Sequence, residues 1–263
     1  MFSFLALFVA AHILVPLLMG IGVLRWPAAL LSLVMVHLGL VYGSLWPRSQ
    51  LLGENILRLG SEHHGGDKVY LTFDDGPDES VTPRVLEILE KAGARASFFV
   101  VGKNVTRHPD LARRILARGH TLENHSHSHR RLFSLLGPWR MAREIDEAQE
   151  AIHREVGHRP GYFRAPAGLR SAWLGPLLRA RDLTLVTWTR RGFDAVSRRP
   201  ERVLARLTRN LHPGNILVLH DGGAARTADG EPVVCLVLPR LLERLRQRGL
   251  KAAALPAGLK AGP

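Results

Sequence analysis

Residues 71–78 read LTFDDGPD, and in this stretch an apolar run ends on two adjacent carboxylates just before a Gly-Pro pair. Asp74 and Asp75 follow a segment that the pattern predicts to be a buried strand, KVYLTF at 68–73. Two neighbouring charges at the edge of a core need a cation, a proton or separate partners, because an unpaired buried charge is costly. The pair therefore predicts a functional site at the end of this strand.

Further apolar runs predict more strands of the same kind, and the amphipathic stretches between them predict helices. The expected strands are 68–73, 96–101, 120–124, 161–165, 183–188, 215–220 and 250–255. The expected helices are 81–93, 109–119, 141–157, 201–211 and 233–249. A strand and a helix that alternate about seven times imply an α/β fold with parallel strands, either a barrel or a doubly wound sheet. Reactive groups are then expected at the carboxyl ends of the strands.

The histidine-rich stretch ENHSHSH at 123–129 follows the third predicted strand. His125 and His129 are four residues apart, so a helical turn or a tight loop presents both imidazoles on one side. Two histidines and one carboxylate, with positions left open, suit zinc or another first-row divalent ion. A solvated histidine-rich loop is the alternative for this segment alone. In the metal hypothesis, one of Asp74 and Asp75 binds the ion and the other takes a proton from water.

Three more unusual stretches fall at predicted strand ends: FRAPAG at 163–168, WTRRGFDA at 188–195 and LVLHDG at 217–222. Together with TFDDGP and HSHSH they resemble, in order and spacing, the five motifs of the polysaccharide deacetylases, the NodB-like carbohydrate esterase family 4. The resemblance implies a distorted, incomplete (β/α)7 barrel for residues 67–256. It also implies a metal-dependent hydrolase that removes N-linked acetyl groups from N-acetylglucosamine-type sugars of a cell-envelope or secreted polysaccharide.

The resemblance further implies which residues would carry the metal and the base. Asp75, His125 and His129 would be the metal ligands, with zinc as the expected ion and cobalt, nickel or manganese as alternatives. Asp74 would be the catalytic base that takes a proton from the attacking water. Arg164 would pair with that base and fix its direction.

The remaining motifs would supply the acid and the substrate contacts. His220 would be the general acid, and Asp194 would orient and charge its imidazole. The residues expected to bind substrate are Ala167, Trp188, Leu217 and Leu219. The backbone N–H of Ala167 would hold the oxyanion, and the two leucines would enclose the acetyl methyl group. The position after Pro166 is often aromatic in this family, so Ala167 leaves the choice of substrate open.

The N-terminal segment is far more apolar than the rest of the chain. Residues 2–24 contain no Asp, Glu, Lys or Arg, and a second such run extends over 27–47. As a helix, each run is long enough to cross about 30 Å of hydrocarbon, which predicts a two-helix transmembrane hairpin over residues 1–47. A cleaved signal peptide or a single anchor is the alternative, although the first run lacks a basic n-region and a clear cleavage site. Residues 48–66 are expected to be a polar connector, and 257–263 a tail.

Composition and charge limit both the class of protein and the kinds of partner that are expected. Apolar residues make up 46% of the 263-residue chain, which excludes a disordered class. The formal charge is +13, but no basic tract is interleaved with aromatic residues, so no nucleic-acid partner is expected. Arg190 and Arg191 are candidates for contact with an anionic sugar or a lipid phosphate, with ordinary surface arginines as the alternative.

The expected partners are therefore a carbohydrate polymer or a lipid-linked sugar and, through residues 1–47, a membrane. The catalytic domain is expected to be periplasmic or extracellular. Two other functions stay open at this point. One is a deacetylase or deformylase of a lipid-linked amino sugar, and the other is a non-catalytic glycan-binding membrane protein on the same fold.

Overall fold

A computed structural model of the chain describes residues 4–64 and 66–259. Residues 1–3, Gly65 and the end of the predicted tail, 260–263, lie outside the described residues. The strands are β1 (Lys68–Asp74), β2 (Ser97–Val100), β3 (Thr121–Asn124), β4 (Tyr162–Phe163), β5 (Thr184–Leu185), β6 (Arg190–Arg191), β7 (Ile216–His220) and β8 (Lys251–Ala253). The helices are α1 (Phe4–Gly20), α2 (Trp26–Leu45), α3 (Ser61–His64), α4 (Thr82–Lys91), α5 (Gly102–Arg107), α6 (Pro109–Ala117), α7 (Pro138–Val156), α8 (Leu174–Arg179), α9 (Pro200–Thr208) and α10 (Val233–Gln247).

The strands form one sheet in the order β5-β4-β3-β2-β1-β7-β6, with β8 paired to the start of β1. Every strand pair is parallel, so the carboxyl ends of the strands meet at one edge. Asp74 lies opposite Phe99 on one side and His220 on the other. Each of the seven predicted strands is present, and β6 was not predicted. Within the described residues, the result is an open half-barrel of eight parallel strands, which agrees with the expected distorted, incomplete barrel and has one strand more than expected.

The two faces of β1 have different neighbours, because alternate strand residues point in opposite directions. Leu71 and Phe73 belong to the apolar layer between the sheet and the surrounding helices, and both are fully buried. Tyr70 and Asp74 point the other way, into the half-barrel. The helices pack on the outside because their apolar residues recur at helical spacing, as Val85, Leu86 and Leu89 do on α4. The concave face is therefore the side on which polar groups can gather.

The two N-terminal helices contact each other, with the rings of His12 and His37 centred 5.1 Å apart. Helix α2 has 20 residues and a mean hydropathy of 1.9, so it is long and apolar enough to span a membrane. Helix α1 is apolar but shorter, and it contains Pro16. Among the described residues, one helix thus meets the criterion of length and composition. The transmembrane hairpin stays a prediction.

The segment that follows α2 packs on the domain and contacts it just after β5 and just before β7. Ile56 pairs with Val186 just beyond β5, and the backbone N–H of Leu59 donates to the carbonyl of Gly214, 2.9 Å away, just before β7. Leu52, Ile56 and Leu59 are all buried. The polar connector expected over 48–66 is therefore attached to the sheet along much of its length, which its composition did not indicate.

Candidate active site

The two aspartates at the end of β1 have different partners. Asp74 is the last residue of the strand, and its Oδ1 accepts a hydrogen bond from Nη1 of Arg164 at 2.6 Å. Asp75 has a φ of 74°, in the left-handed region, and turns out of the strand. Its Oδ1 lies 3.1 Å from Nε2 of His125 and 3.0 Å from Nε2 of His129. This backbone conformation costs a non-glycine residue on the order of 1 kcal/mol, so the surroundings must hold it in place.

Asp75, His125 and His129 form a cluster with the geometry of a metal site. Their ligand atoms all lie within 4.8 Å of one another. The Oδ1 atom of Asp75 is buried without a hydrogen bond of good geometry, which is the state of an oxygen that is placed for a cation. Burial alone would raise the pKa of the Asp75 carboxyl, but the two neighbouring imidazoles hold that pKa well below its usual range. One carboxylate and two imidazoles fit a divalent ion such as zinc.

The hydrogen bond of His125 sets the direction of its free nitrogen. Its Nδ1 lies 2.8 Å from the carbonyl oxygen of Arg164 and must donate, since a carbonyl only accepts. In the neutral ring Nε2 then carries the lone pair, and this atom faces Asp75, which is the arrangement usual for metal-binding histidines. His127 does not join the cluster, because its ring lies against Gly102 at the start of α5. The structure thus brings together the two histidines that the spacing predicted, and it places His127 elsewhere.

The loop that carries these histidines is held by polar side chains that the sequence analysis did not select. Ser126 N–H donates to Asn124 Oδ1 at 2.8 Å, and Ser126 Oγ accepts from the His129 N–H at 3.1 Å. Glu144 on α7 accepts from the backbone N–H of Ser128 at 2.8 Å and also from its hydroxyl. Asn124 and Ser126 lie inside the ENHSHSH stretch, so the sequence itself could have indicated them. Glu144 is distant in sequence, and no local signal marks it.

Arg164 is fully buried and holds Asp74 through a set of fixed contacts. Its Nη1 also donates to Thr72 Oγ1 at 2.8 Å, its Nη2 to the carbonyl of Thr187 at 2.9 Å and its Nε to the carbonyl of Val186 at 3.2 Å. With these partners the guanidinium has one orientation. Arg164 therefore fixes the orientation of the Asp74 carboxylate through one oxygen. The second oxygen stays available to a reactant.

His220 ends β7 beside Asp74, and Asp194 lies behind it. Asp194 is fully buried and accepts two hydrogen bonds from this histidine, one from Nδ1–H at 2.9 Å and one from the backbone N–H at 2.7 Å. Burial alone would lower the pKa of the His220 imidazole, but the carboxylate of Asp194 raises it to about 9. At neutral pH the imidazole carries a proton that Nε2 can donate.

Two of the four residues expected to bind substrate lie at the site. Ala167 is exposed, with a φ of 56°, and it lines a cavity of about 550 Å³ together with Trp188. Leu217 and Leu219 do not reach this space. They alternate with His220 along β7, so their side chains face the apolar layer under the helices, where both are fully buried. The expectation that these leucines enclose an acetyl methyl group is corrected on this ground.

Comparisons with known proteins show the family to which this chain is similar. The model of the family described as polysaccharide deacetylase matches residues 61–186. A chitooligosaccharide deacetylase from Sinorhizobium fredii is 35% identical in an alignment of 207 positions, which covers 73% of this chain and 92% of that protein. The chain belongs to the polysaccharide deacetylase family.

Other members of the family support the same assignment. A peptidoglycan-N-acetylglucosamine deacetylase from Bacillus cereus is 30% identical, over 70% of this chain and 84% of that protein. Among solved structures, a family 4 carbohydrate esterase from Streptomyces lividans in complex with acetate is 30% identical with a TM-score of 0.64, and the match covers 71% of this chain and 91% of that one. The matches support carbohydrate deacetylation, a hydrolysis, as the activity of this polysaccharide deacetylase family member.

Proposed function

We propose that this chain is a metal-dependent hydrolase that removes the N-acetyl group from N-acetylglucosamine-type units of a cell-envelope or secreted polysaccharide. The observation that carries the proposal is that Asp74 and Asp75 contact different partners. Asp75 faces His125 and His129 within ligand distance, whereas Asp74 is bonded to Arg164 and keeps one oxygen free. The names of the relatives, which act on chitooligosaccharides and peptidoglycan, supply the substrate class.

In this proposal Asp75, His125 and His129 hold the divalent ion, with zinc expected from the donor set and cobalt, nickel or manganese as alternatives. When bound, the ion acts as a Lewis acid that polarises the acetyl carbonyl and makes water a better nucleophile. Asp74 takes the proton from the attacking water, because Arg164 holds one oxygen of its carboxylate in a fixed direction and leaves the other oxygen free.

The remaining steps belong to His220 and the turn at Ala167. Attack by water forms a C–O bond and places negative charge on the carbonyl oxygen, which the backbone N–H of Ala167 stabilises. The C–N bond then breaks, and Nε2–H of His220 gives its proton to the leaving amine. Asp194 keeps that imidazole charged and correctly oriented until the transfer. Acetate and a free amino sugar are the products.

The proposal places the catalytic domain at residues 67–256, with residues 1–47 as its membrane anchor and the domain periplasmic or extracellular. The apolar length of α2 supports an anchor in this part of the chain. Attachment of 48–59 to the sheet supports a fixed rather than a free connection between anchor and domain.

The test is hydrolysis by the purified full chain of chitotetraose and of N-acetylated peptidoglycan fragments, with and without a chelator. We expect acetate release that the chelator abolishes and added zinc restores. Formate release from an N-formyl sugar, without acetate release, would indicate a deformylase instead. Binding of chitotetraose by the zinc-loaded protein without any release of acetate would contradict the proposal and favour a non-catalytic glycan-binding protein.

A further inference from the structure

The cavity beside Ala167 and Trp188 extends to the end of the apolar helix α2. Its wall on that side is formed by Leu45, Trp46, Pro47 and Arg48. The ring of Trp188 lies 5.8 Å from the guanidinium of Arg164, which holds Asp74. Pro47 touches the turn at Gly168 closely: a Cβ at Gly168 would lie 3.0 Å from the ring of Pro47 and 2.4 Å from Trp188. The end of α2 therefore lines the same cavity as Ala167 and Trp188, two of the residues expected to bind substrate.

Five arginines line the same cavity, and no acidic side chain lines it. They are Arg48, Arg190, Arg191, Arg206 and Arg209. Within residues 4–64 and 66–259, none of the five forms an ion pair with a carboxylate, whereas Arg164, Arg181 and Arg240 all do. Several like charges without counterions repel each other, so the cavity attracts an anion of matching geometry.

Two of the arginines that line the cavity each have a donor without a partner. The Nε atoms of Arg190 and Arg191 are buried and have no hydrogen-bond partner. The guanidinium of Arg191 lies over the rings of Trp188 at 5.1 Å and Phe193 at 5.0 Å, which fixes its plane. An arginine that is oriented by aromatic rings and keeps unused N–H groups is well suited to bind phosphate oxygens.

The cavity also lies at the depth where a membrane surface would be. Tyr42 and Trp46 stack on each other at the end of α2, with ring centroids 6.5 Å apart, and Trp46 is 52% exposed. Aromatic residues followed by a basic residue, here Arg48, mark the level at which a spanning helix leaves the hydrocarbon. If α2 spans the bilayer, the arginines lie at the height of lipid headgroups.

We infer that the arginine-lined cavity binds the phosphate group of a membrane-borne, lipid-linked amino sugar and places its sugar at Asp74 and His220. The inference rests on the deacetylation proposed for this site, and it replaces the finished polysaccharide with a lipid-linked sugar as the substrate. The lipid chain would leave the cavity past Leu45 and Trp46, which are exposed apolar residues. A neutral polysaccharide would leave the five guanidinium groups without counterions.

The kinetic test compares two substrates that differ only in phosphate: N-acetylglucosamine carried on farnesyl diphosphate and the farnesyl glycoside of the same sugar. The protein is the full chain in lipid nanodiscs. We expect kcat/KM to be higher for the diphosphate-linked sugar. In the double variant R190Q/R206Q the ratio of the two values should fall by about tenfold or more, because each lost charge-assisted hydrogen bond weakens binding by at least that factor.

Two further variants make the comparison specific. Arg202→Gln removes the same charge from an exposed position on α9 that does not line the cavity, and it should leave the ratio unchanged. R190K/R206K keeps the charge but loses the planar donor pair, so it should lie between R190Q/R206Q and the parent. Thermal unfolding checks that each variant is folded. An unchanged ratio in folded R190Q/R206Q would overturn the inference.

A binding measurement on chelator-treated protein separates this inference from the proposed function. Farnesyl phosphate should bind at least about tenfold more tightly than farnesol and than inorganic phosphate, and R190Q/R206Q should remove that advantage. Equal binding of farnesol would mean that the phosphate is not recognised. Equal binding of inorganic phosphate would mean that the cavity holds a free anion and not a lipid headgroup, and either result would overturn the inference. Absence of acetate from every substrate, with binding intact, would instead end the proposed hydrolysis.

Discussion

Asp74 and Asp75 are adjacent in sequence but have separate contacts. Substitution of Asp74 should therefore remove turnover alone, whereas substitution of Asp75 should remove both metal binding and turnover. Asp74→Asn should lower turnover by about 10²- to 10⁴-fold with the metal retained, because Asp74 is bonded to Arg164 and not to the imidazoles. Asp75→Ala and His125→Ala should lose metal and turnover together. Metal content per folded protein and acetate release are the two measurements.

The Asp74 variant needs a stability control. Removal of its charge leaves the buried Arg164 without a counterion, which costs on the order of 3–5 kcal/mol. Metal content is therefore compared at a temperature well below the unfolding midpoint of each variant. Parent-like hydrolysis by Asp74→Asn would show that another group is the base.

His220 and Asp194 predict the direction of a pH effect. The rate needs a protonated His220, so kcat/KM should fall as pH rises through the pKa of this imidazole, which Asp194 raises to about 9. In Asp194→Asn the carboxylate charge is gone and burial lowers the pKa, so the basic limb should move to lower pH. A bound cation would move the basic limb to lower pH in the parent and in the variant alike. The prediction is therefore the difference in pH between the basic limbs of the two proteins. The exposed Asp229→Asn serves as the control.

The ion pair between His220 and Asp194 should also make the free energy of unfolding depend on pH in a defined direction. A folded-state pKa of about 9, above the ordinary value of 6.5, means that the stabilisation is complete below pH 6.5 and is lost as pH rises toward 9. In Asp194→Asn this decline should disappear from the free energy of unfolding. Parallel pH profiles for the parent and the variant would contradict the assigned pairing.

At the scale of the element, helix α7 positions the metal-binding loop through Glu144. Glu144→Gln weakens the contacts with the N–H and hydroxyl of Ser128 while every metal ligand remains. Residues that orient metal ligands typically affect affinity by about 10- to 100-fold, so zinc affinity in a chelator competition should fall within that range. Glu147→Gln, an exposed change one turn away, is the matched control. Equal zinc affinity in the two variants would show that α7 does not hold the loop.

Sequence periodicity predicted the seven strands correctly because most of them are apolar runs with a turn signal after them. It missed β6, whose two residues are Arg190 and Arg191, since nothing apolar marks a strand that only pairs along one edge. The family resemblance placed Leu217 and Leu219 in the site, although their alternation with His220 puts them on the opposite face. The register of a strand decides which residues reach a site, and a motif alone does not show that register.

The candidate site was predictable where its residues are local in sequence. Spacing and strand position indicated His125, His129 and one of the two adjacent aspartates, and the family resemblance selected Asp75. The structure brings these three side chains together. Glu144 and Thr72 were not found, because each acts through a contact that only the folded chain creates. Attachment of the connector at Ile56 was missed for the same reason.

At the scale of the whole molecule, Arg170 joins the N-terminal segment to the domain. It is buried, its backbone N–H donates to Ser44 O at the end of α2, and its guanidinium donates to the carbonyls of Ser49 and Gly53. Arg170→Met would leave two carbonyls without their donors, at about 1–3 kcal/mol each. The unfolding midpoint should drop by several degrees, whereas Arg179→Gln at an exposed site should not change it. A parent-like midpoint for Arg170→Met would mean that this joint adds no stability.

The membrane topology can be tested with single cysteines, because Cys235 is the sole cysteine of the chain and is buried. In a Cys235→Ala background, one cysteine at a time replaces Ser3 ahead of α1, Val23 between α1 and α2, or Glu150 on the exposed face of α7. A membrane-impermeant maleimide applied to cells without their outer barriers labels only the external positions.

A transmembrane hairpin places the first and third positions on one side and the second on the other, because each helix reverses the side of the chain. We therefore expect label at Ser3→Cys and Glu150→Cys, and label at Val23→Cys only after permeabilisation. A single crossing by α2 would group Ser3→Cys with Val23→Cys against Glu150→Cys. Protection of Glu150→Cys in intact cells would place the catalytic domain in the cytoplasm and contradict the proposed location.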